Sequence, residues 1–95
     1  MAKDDIRDAA YVLSGKVRLG ILGELGRPMT PTALADRLGT HRSTVSRALS
    51  ALEGKGLVRC VTPERKLVRF YRITSKGQIA LDRARDLGKE GQGAA

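Results

Sequence analysis

The chain has 95 residues, 41% hydrophobic and 29% charged, with 18 lysines and arginines against ten acids and a net charge of +8. That length suffices for one small domain; the longest uninterrupted apolar run, Ala9 to Leu13, is far too short to span a bilayer, and the opening MAKDDIRD has mixed charge where a signal peptide would be apolar. The single cysteine permits no intrachain disulfide, so a soluble cytoplasmic protein is expected.

Ile6, Ala9, Ala10 and Leu13 recur at helical spacing and predict a first helix over about residues 4–13. Ser14-Gly15 breaks it, and Ser14 is a cap candidate for a second helix from Lys16 to Leu25. That helix carries Val17, Leu19, Ile21, Leu22 and Leu25, an apolar surface wide enough to need contacts on more than one side. Gly26-Arg27-Pro28 ends it, and Met29 is placed to pair briefly with a sheet.

Residues 30 to 58, TPTALADRLGTHRSTVSRALSALEGKGLV, read as a helix-turn-helix leading into a hairpin. Thr30 suits an N-cap and Pro31 the first helical position. Leu34, Ala35 and Leu38 form one stripe, and Gly39 follows where a left-handed turn tolerates no side chain well. Thr40 is the cap candidate for the next helix, over about 41–53, in which Val45, Ala48, Leu49 and Leu52 share a face. At about 100° per residue, Ser43, Ser46, Arg47 and Ser50 lie opposite that stripe, and His41 and Arg42 fall in the first turn. Short hydroxyls let a helix approach a groove floor, and arginine can fork onto a guanine edge or hold a phosphate. Glu53 is the only carboxylate between Gly39 and Pro63. A merely solvated face would mix its charges; this one lacks acid.

The charge is also localised. From Thr30 to Gly77 ten basic residues face three acids, so this stretch holds +7 of the +8. A charge serving solubility alone would be spread evenly, whereas polyanion binding concentrates it.

Two short strands are expected at about 57–62 and 67–73, around Pro63-Glu64-Arg65-Lys66. Alternation turns Tyr71 and Ile73 inward and leaves Val68 and Phe70 on the other face, to pack on the hairpin's own long side chains or meet a partner. Thr74 is placed to cap a last helix from Ser75 to Leu87, with Ile79, Ala80, Arg83, Ala84 and Leu87 as its stripe. The domain thus covers residues 1–88, and the Gly-rich end, 89–95, is expected to be a disordered tail.

With these pieces in order, VLSGKVRLGILGEL, ALADRLGTHRSTVSRALSALEGKGLV and the closing YRITSKG together resemble the winged helix-turn-helix transcription regulators, in particular the MarR-like and ArsR-like groups. The resemblance spans about residues 12–87 and implies a mainly α fold with a small antiparallel hairpin, ordered α-α-α-α-β-β-α. It implies a recognition helix in the major groove of DNA with Thr40, His41, Arg42, Ser43, Ser46 and Arg47 at the groove. It also implies a wing over about 57–73, tipped by Arg65 and Lys66, on the backbone or minor groove, and a homodimer made by the outer helices. Metal-sensing relatives carry clustered Cys or His ligands; one Cys and one His do not supply the three or four that a soft-metal site needs. With little helix beyond the core, a built-in small-molecule effector site is not expected.

No enzyme, and no cofactor, is expected. His41 is the only histidine and lies at the reading helix, while Asp4, Asp5 and Asp8 are explained by the electrostatic preference of acids for a helix N-terminus. Cys60, in the first wing strand, reads first as a small packed residue and second as a thiol whose acidity Arg59 and Arg69 could raise. The leading expectation is a sequence-specific DNA-binding regulator. Its rivals are a winged-helix interaction subunit of a transcription or nucleoprotein assembly, and a weakly specific DNA-coating protein.

Overall fold

The computed structural model describes residues 3–93 and orders them as α1 (Lys3–Leu13), α2 (Lys16–Glu24), α3 (Pro31–Leu38), α4 (Arg42–Gly54), β1 (Val58–Cys60), β2 (Tyr71–Ile73) and α5 (Ser75–Gly93). This is the expected α-α-α-α-β-β-α winged-helix order. The core is continuous, and α2 runs through its middle, packed on α1, α3, α4 and α5. Ile21, Leu22 and Leu25 have no exposed surface and meet Leu34, Leu49, Leu52 and Leu57. Each such side chain, fully buried, contributes about 1.5–3 kcal/mol. The wide apolar surface of α2 is therefore consumed within one chain.

The helix-turn-helix forms as its residues dictate. Thr30 Oγ1 accepts the Ala33 N–H at 3.1 Å, with Pro31 in the first turn. Gly39 takes φ +64°, and the Thr40 N–H closes α3 on the Ala35 carbonyl. The expected cap of the next helix is corrected: the His41 carbonyl accepts the first intrahelical bond, from the Val45 N–H at 3.1 Å, so His41 is the N-cap of α4, without a side-chain capping bond. Ser14 is corrected likewise. Its hydroxyl donates back to the Tyr11 carbonyl at 2.9 Å, and Gly15 occupies the N-cap of α2.

The hairpin is antiparallel, with Val58 opposite Ile73, Arg59 opposite Arg72 and Cys60 opposite Tyr71. Met29 adds an isolated bridge to Tyr71 through paired backbone hydrogen bonds of 3.0 and 2.8 Å. The strands are shorter than expected. One further bond joins Val61 N–H to the Phe70 carbonyl, after which the Thr62 hydroxyl takes the Phe70 N–H at 3.0 Å and displaces the ladder. Pro63 then has no N–H to continue it. Tyr71 and Ile73 do face the core, but Val68 is exposed on a loop and belongs to no strand face.

The outer helices depart most from expectation. On α1 the buried residues are Asp8, Ala9 and Val12, while Ile6 and Leu13 are 50% and 39% exposed. On α5 they are Gly77, Ala80, Leu81 and Ala84, while Ile79 and Leu87 are 47% and 39% exposed and Arg83 faces solvent. Small residues let the backbones approach, so small residues mark the inner face. Gly77 is the extreme case, because a Cβ there would collide with the Leu57 carbonyl oxygen. Helix α5 runs on to Gly93, past the Leu87 end expected for it. Gly88 of this last part lies against Leu13 of α1, although glycine itself disfavours a helix. Ala94 and Ala95 lie outside the described residues.

Candidate nucleic-acid interface

Helix α4 buries Val45, Leu49 and Leu52 and turns Arg42, Ser43, Ser46, Arg47 and Ser50 to solvent. His41, at its N-cap, is exposed as well, and Thr40 is half-buried. The face expected to read a groove is thus presented as a unit, with Thr40 at its edge supplying backbone geometry to the turn.

Two clefts flank that face. On one side Arg42 and Ser46 line a cleft of about 400 Å³ with Thr30 and Thr32 at the start of α3 and Val68 and Arg69 of the wing. On the other side Arg47 shares a cleft of about 390 Å³ with Ala48 and Ala51 of α4 and with Tyr11 and Arg18 from the α1–α2 elbow. A third cleft, about 440 Å³, lies along the wing and holds Arg59 and Arg72 beside Thr74. Each of the three holds two arginines, and no acidic side chain lines any of them.

Arg59 and Arg72 form a like-charge pair directly opposed across the strands. Such a pair opposes hairpin formation and is relieved by a polyanion lying over it. The expected wing-tip residues, Arg65 and Lys66, are exposed in the connection between the strands, where Arg65 N–H donates to the Thr62 carbonyl at 3.0 Å. They line neither cleft beside α4; Leu67, Val68 and Arg69 line the wing-side one instead.

Cys60 sits on the inner side of the wing, half-exposed, and Arg69 Nε donates to its sulfur at 3.4 Å. Burial pushes this thiol up, but the Arg69 hydrogen bond, the Thr62 contacts and the guanidinium charge together bring it below its ordinary value. Among the described residues no group of three or more His, Cys, Asp or Glu converges as a metal site, and no helix is long and apolar enough to cross a membrane.

Helical periodicity points to the α4 face, but not to the place of Arg69 in the cleft beside Arg42, the Arg59–Arg72 pairing or the elbow residues. Period-two alternation could have found the pair, since Arg59 and Arg72 both fall on the outward side of their strands. No local signal joins Tyr11 to α4; only the packing does.

The family model described as the HVO_A0261 N-terminal domain matches residues 6–92. Among curated proteins none matches the chain. Among solved structures, the transcriptional repressor CouR bound to a 23-mer DNA duplex is 30% identical, over 90% of this chain and 62% of its own, with a TM-score of 0.70. The Mycobacterium tuberculosis transcriptional regulator MOSR in complex with DNA is 27% identical, over 90% of this chain and 64% of its own, with a TM-score of 0.71. The homodimeric winged helix-turn-helix DNA-binding domain Mb0332 from Mycobacterium bovis, a possible ArsR-family regulator, is 25% identical, over 97% of this chain and 85% of that fragment, with a TM-score of 0.69. The chain therefore spans less than two thirds of the CouR and MOSR chains. These neighbours are transcription regulators rather than enzymes.

Proposed function

The chain belongs to the HVO_A0261 N-terminal domain family and carries a winged helix-turn-helix of the MarR-like and ArsR-like kind, and from that premise we propose that it is a sequence-specific DNA-binding transcription regulator. Helix α4 enters the major groove, where Arg47 and the hydroxyls of Ser43, Ser46 and Ser50 meet base edges. His41 and Arg42 contact the groove rim, and the wing, through Arg65 and Lys66 at its tip, lies on the backbone or minor groove. The observation that carries this reading is the exposed, acid-poor face of α4 set between clefts that each hold two arginines and no acid. A protein-interaction module does not require that arrangement.

The reading includes a homodimer. Ile6 and Leu13 on α1 and Ile79 and Leu87 on α5 are large apolar residues left exposed on the two outer helices. A second copy would cover them; α2, spent in the core, takes no part. Two-fold symmetry would then set the reading helices about 34 Å apart on one face of a duplex.

The test is a salt titration of binding to random duplexes and to duplexes selected from genomic fragments. A regulator binds the selected duplexes at least about a thousandfold tighter at physiological salt and shows a steep salt slope on both. A coating protein shows the slope without the preference. An interaction module shows neither, and either of these two outcomes refutes the proposal.

A further inference from the structure

An α-helix in the major groove has phosphates along both walls of the groove, which is about 12 Å wide. The wing accounts for one flank of α4. The other flank faces the α1–α2 elbow, where Tyr11 is bracketed by two cations, Arg18 at 4.0 Å and Lys55 at 4.6 Å from the ring centroid.

Arg18 is held in place before any ligand arrives. Its Nη1 donates to the Tyr11 carbonyl at 2.7 Å and to Ser14 Oγ at 3.0 Å. Gly15 leaves the bed in which the guanidinium lies, since a Cβ there would sit 2.9 Å from Arg18 Cδ, Nε and Cζ. Lys16 lines the same cleft, as do Thr44 and Arg47 of the reading helix. Among the described residues no acid pairs with Lys16, Arg18 or Lys55. The first turn of α2 contains none. The nearby carboxylate of Asp8 is buried and lies 3.7 Å from Lys76 Nζ, so its charge is already matched.

Two cations on one ring repel each other, and stacking on the aromatic face offsets that repulsion only in part. The arrangement gains most when phosphate lies above it. We propose that the α1–α2 elbow is a further DNA-backbone contact. Lys16, Arg18 and Lys55 hold phosphates on the groove wall opposite the wing, so the protected stretch extends beyond the reach of α4 and the hairpin. This rests on the DNA-binding reading above and adds to it a surface on the other side of the recognition helix.

The experiment compares Lys16→Gln/Lys55→Gln with Arg27→Gln/Lys89→Gln, two pairs of exposed residues that remove the same charge. Circular dichroism checks that both fold like the wild type. With about 0.9 of a salt-slope unit per phosphate contact, the elbow pair makes the slope shallower by roughly two units per bound protomer on random and selected duplexes alike, and the control pair leaves it unchanged. Hydroxyl-radical footprinting with Arg18→Gln then loses protection at phosphates on one flank only, with the wing-side protection intact. An elbow pair that behaves like the control pair overturns the inference while leaving the regulator reading in place, because wild-type binding and its sequence preference persist. A wild-type chain that binds no duplex overturns both.

Discussion

Replacing Arg47 by alanine separates reading from holding. At about 100° per residue, Arg47 lies opposite the buried stripe of Val45, Leu49 and Leu52, at the centre of the exposed face of α4. Among the described residues it makes no ion pair or side-chain hydrogen bond in the free protein, so its removal leaves folding stability within about 0.5 kcal/mol. Any loss then belongs to the complex. A bidentate arginine–guanine pair is worth about 1–3 kcal/mol of discrimination, which corresponds to a roughly 5- to 150-fold weaker Kd. That loss should fall on the selected duplex alone and should relax the preference at one base position. The assay is fluorescence anisotropy on the selected duplex, its single-base variants and a random duplex, each across a salt series. An equal loss on all duplexes with a slope shallower by about 0.9 per bound protomer would make Arg47 a phosphate contact. An unchanged Kd would place it outside the interface and refute the assignment of the α4 face.

Changing Arg65 and Lys66 together to alanine should weaken binding to every sequence and lower the salt slope by one to about two units; an unchanged slope removes the wing tip from the interface. Leu87→Asp, at a 39% exposed position outside the core, should give a folded monomer by sedimentation with much weaker binding to the selected duplex. A wild type that sediments as a monomer at micromolar concentration refutes the dimer. Because Arg69 and Thr62 hold the Cys60 thiol below its ordinary value, the pH midpoint of its alkylation should lie below that of a free cysteine, and Arg69→Ala should move it up. A midpoint at or above the free value refutes the pairing, and peroxide treatment that leaves DNA affinity within about twofold, under ~0.5 kcal/mol, makes the thiol purely structural.

The centre of this fold was legible because its signals are local. Thr30-Pro31 starts a helix, Gly39 supplies a left-handed turn, and Val45, Leu49 and Leu52 recur at helical spacing; all take those roles in the structure. The outer helices were read in part. Ala9, Ala80 and Ala84 of the expected stripes are buried, but the large residues of those stripes, Ile6, Ile79 and Leu87, are exposed. Val12, Gly77 and Leu81 complete the inner faces, because the helices pack where their small residues let the backbones approach. The strand ends were overshot because the competitor is a single hydroxyl: Thr62 takes the Phe70 N–H that the ladder would have used. At the candidate interface the same division holds. The face of α4 follows from periodicity, whereas the flanks depend on chain segments that only tertiary packing brings together, Tyr11 with Lys55 and Arg42 with Arg69.

The tie between the reading helix and the outer helix runs through Thr74. Its hydroxyl donates to the Gly56 carbonyl, just past the end of α4, at 2.7 Å and accepts the Gly77 N–H, in the first turn of α5, at 2.9 Å. Its own N–H donates to the Leu57 carbonyl at 3.1 Å. One turn further along, the missing side chain of Gly77 lets α5 press on that same carbonyl. The end of α4, the root of the wing and the start of α5 are thereby fixed to one another by short contacts with no slack for a side chain. In the proposed dimer α5 carries Ile79 and Leu87 to the partner, so the angle fixed at this joint sets where each α4 points. Half-site spacing on DNA would then depend on the joint that Thr74 and Gly77 make.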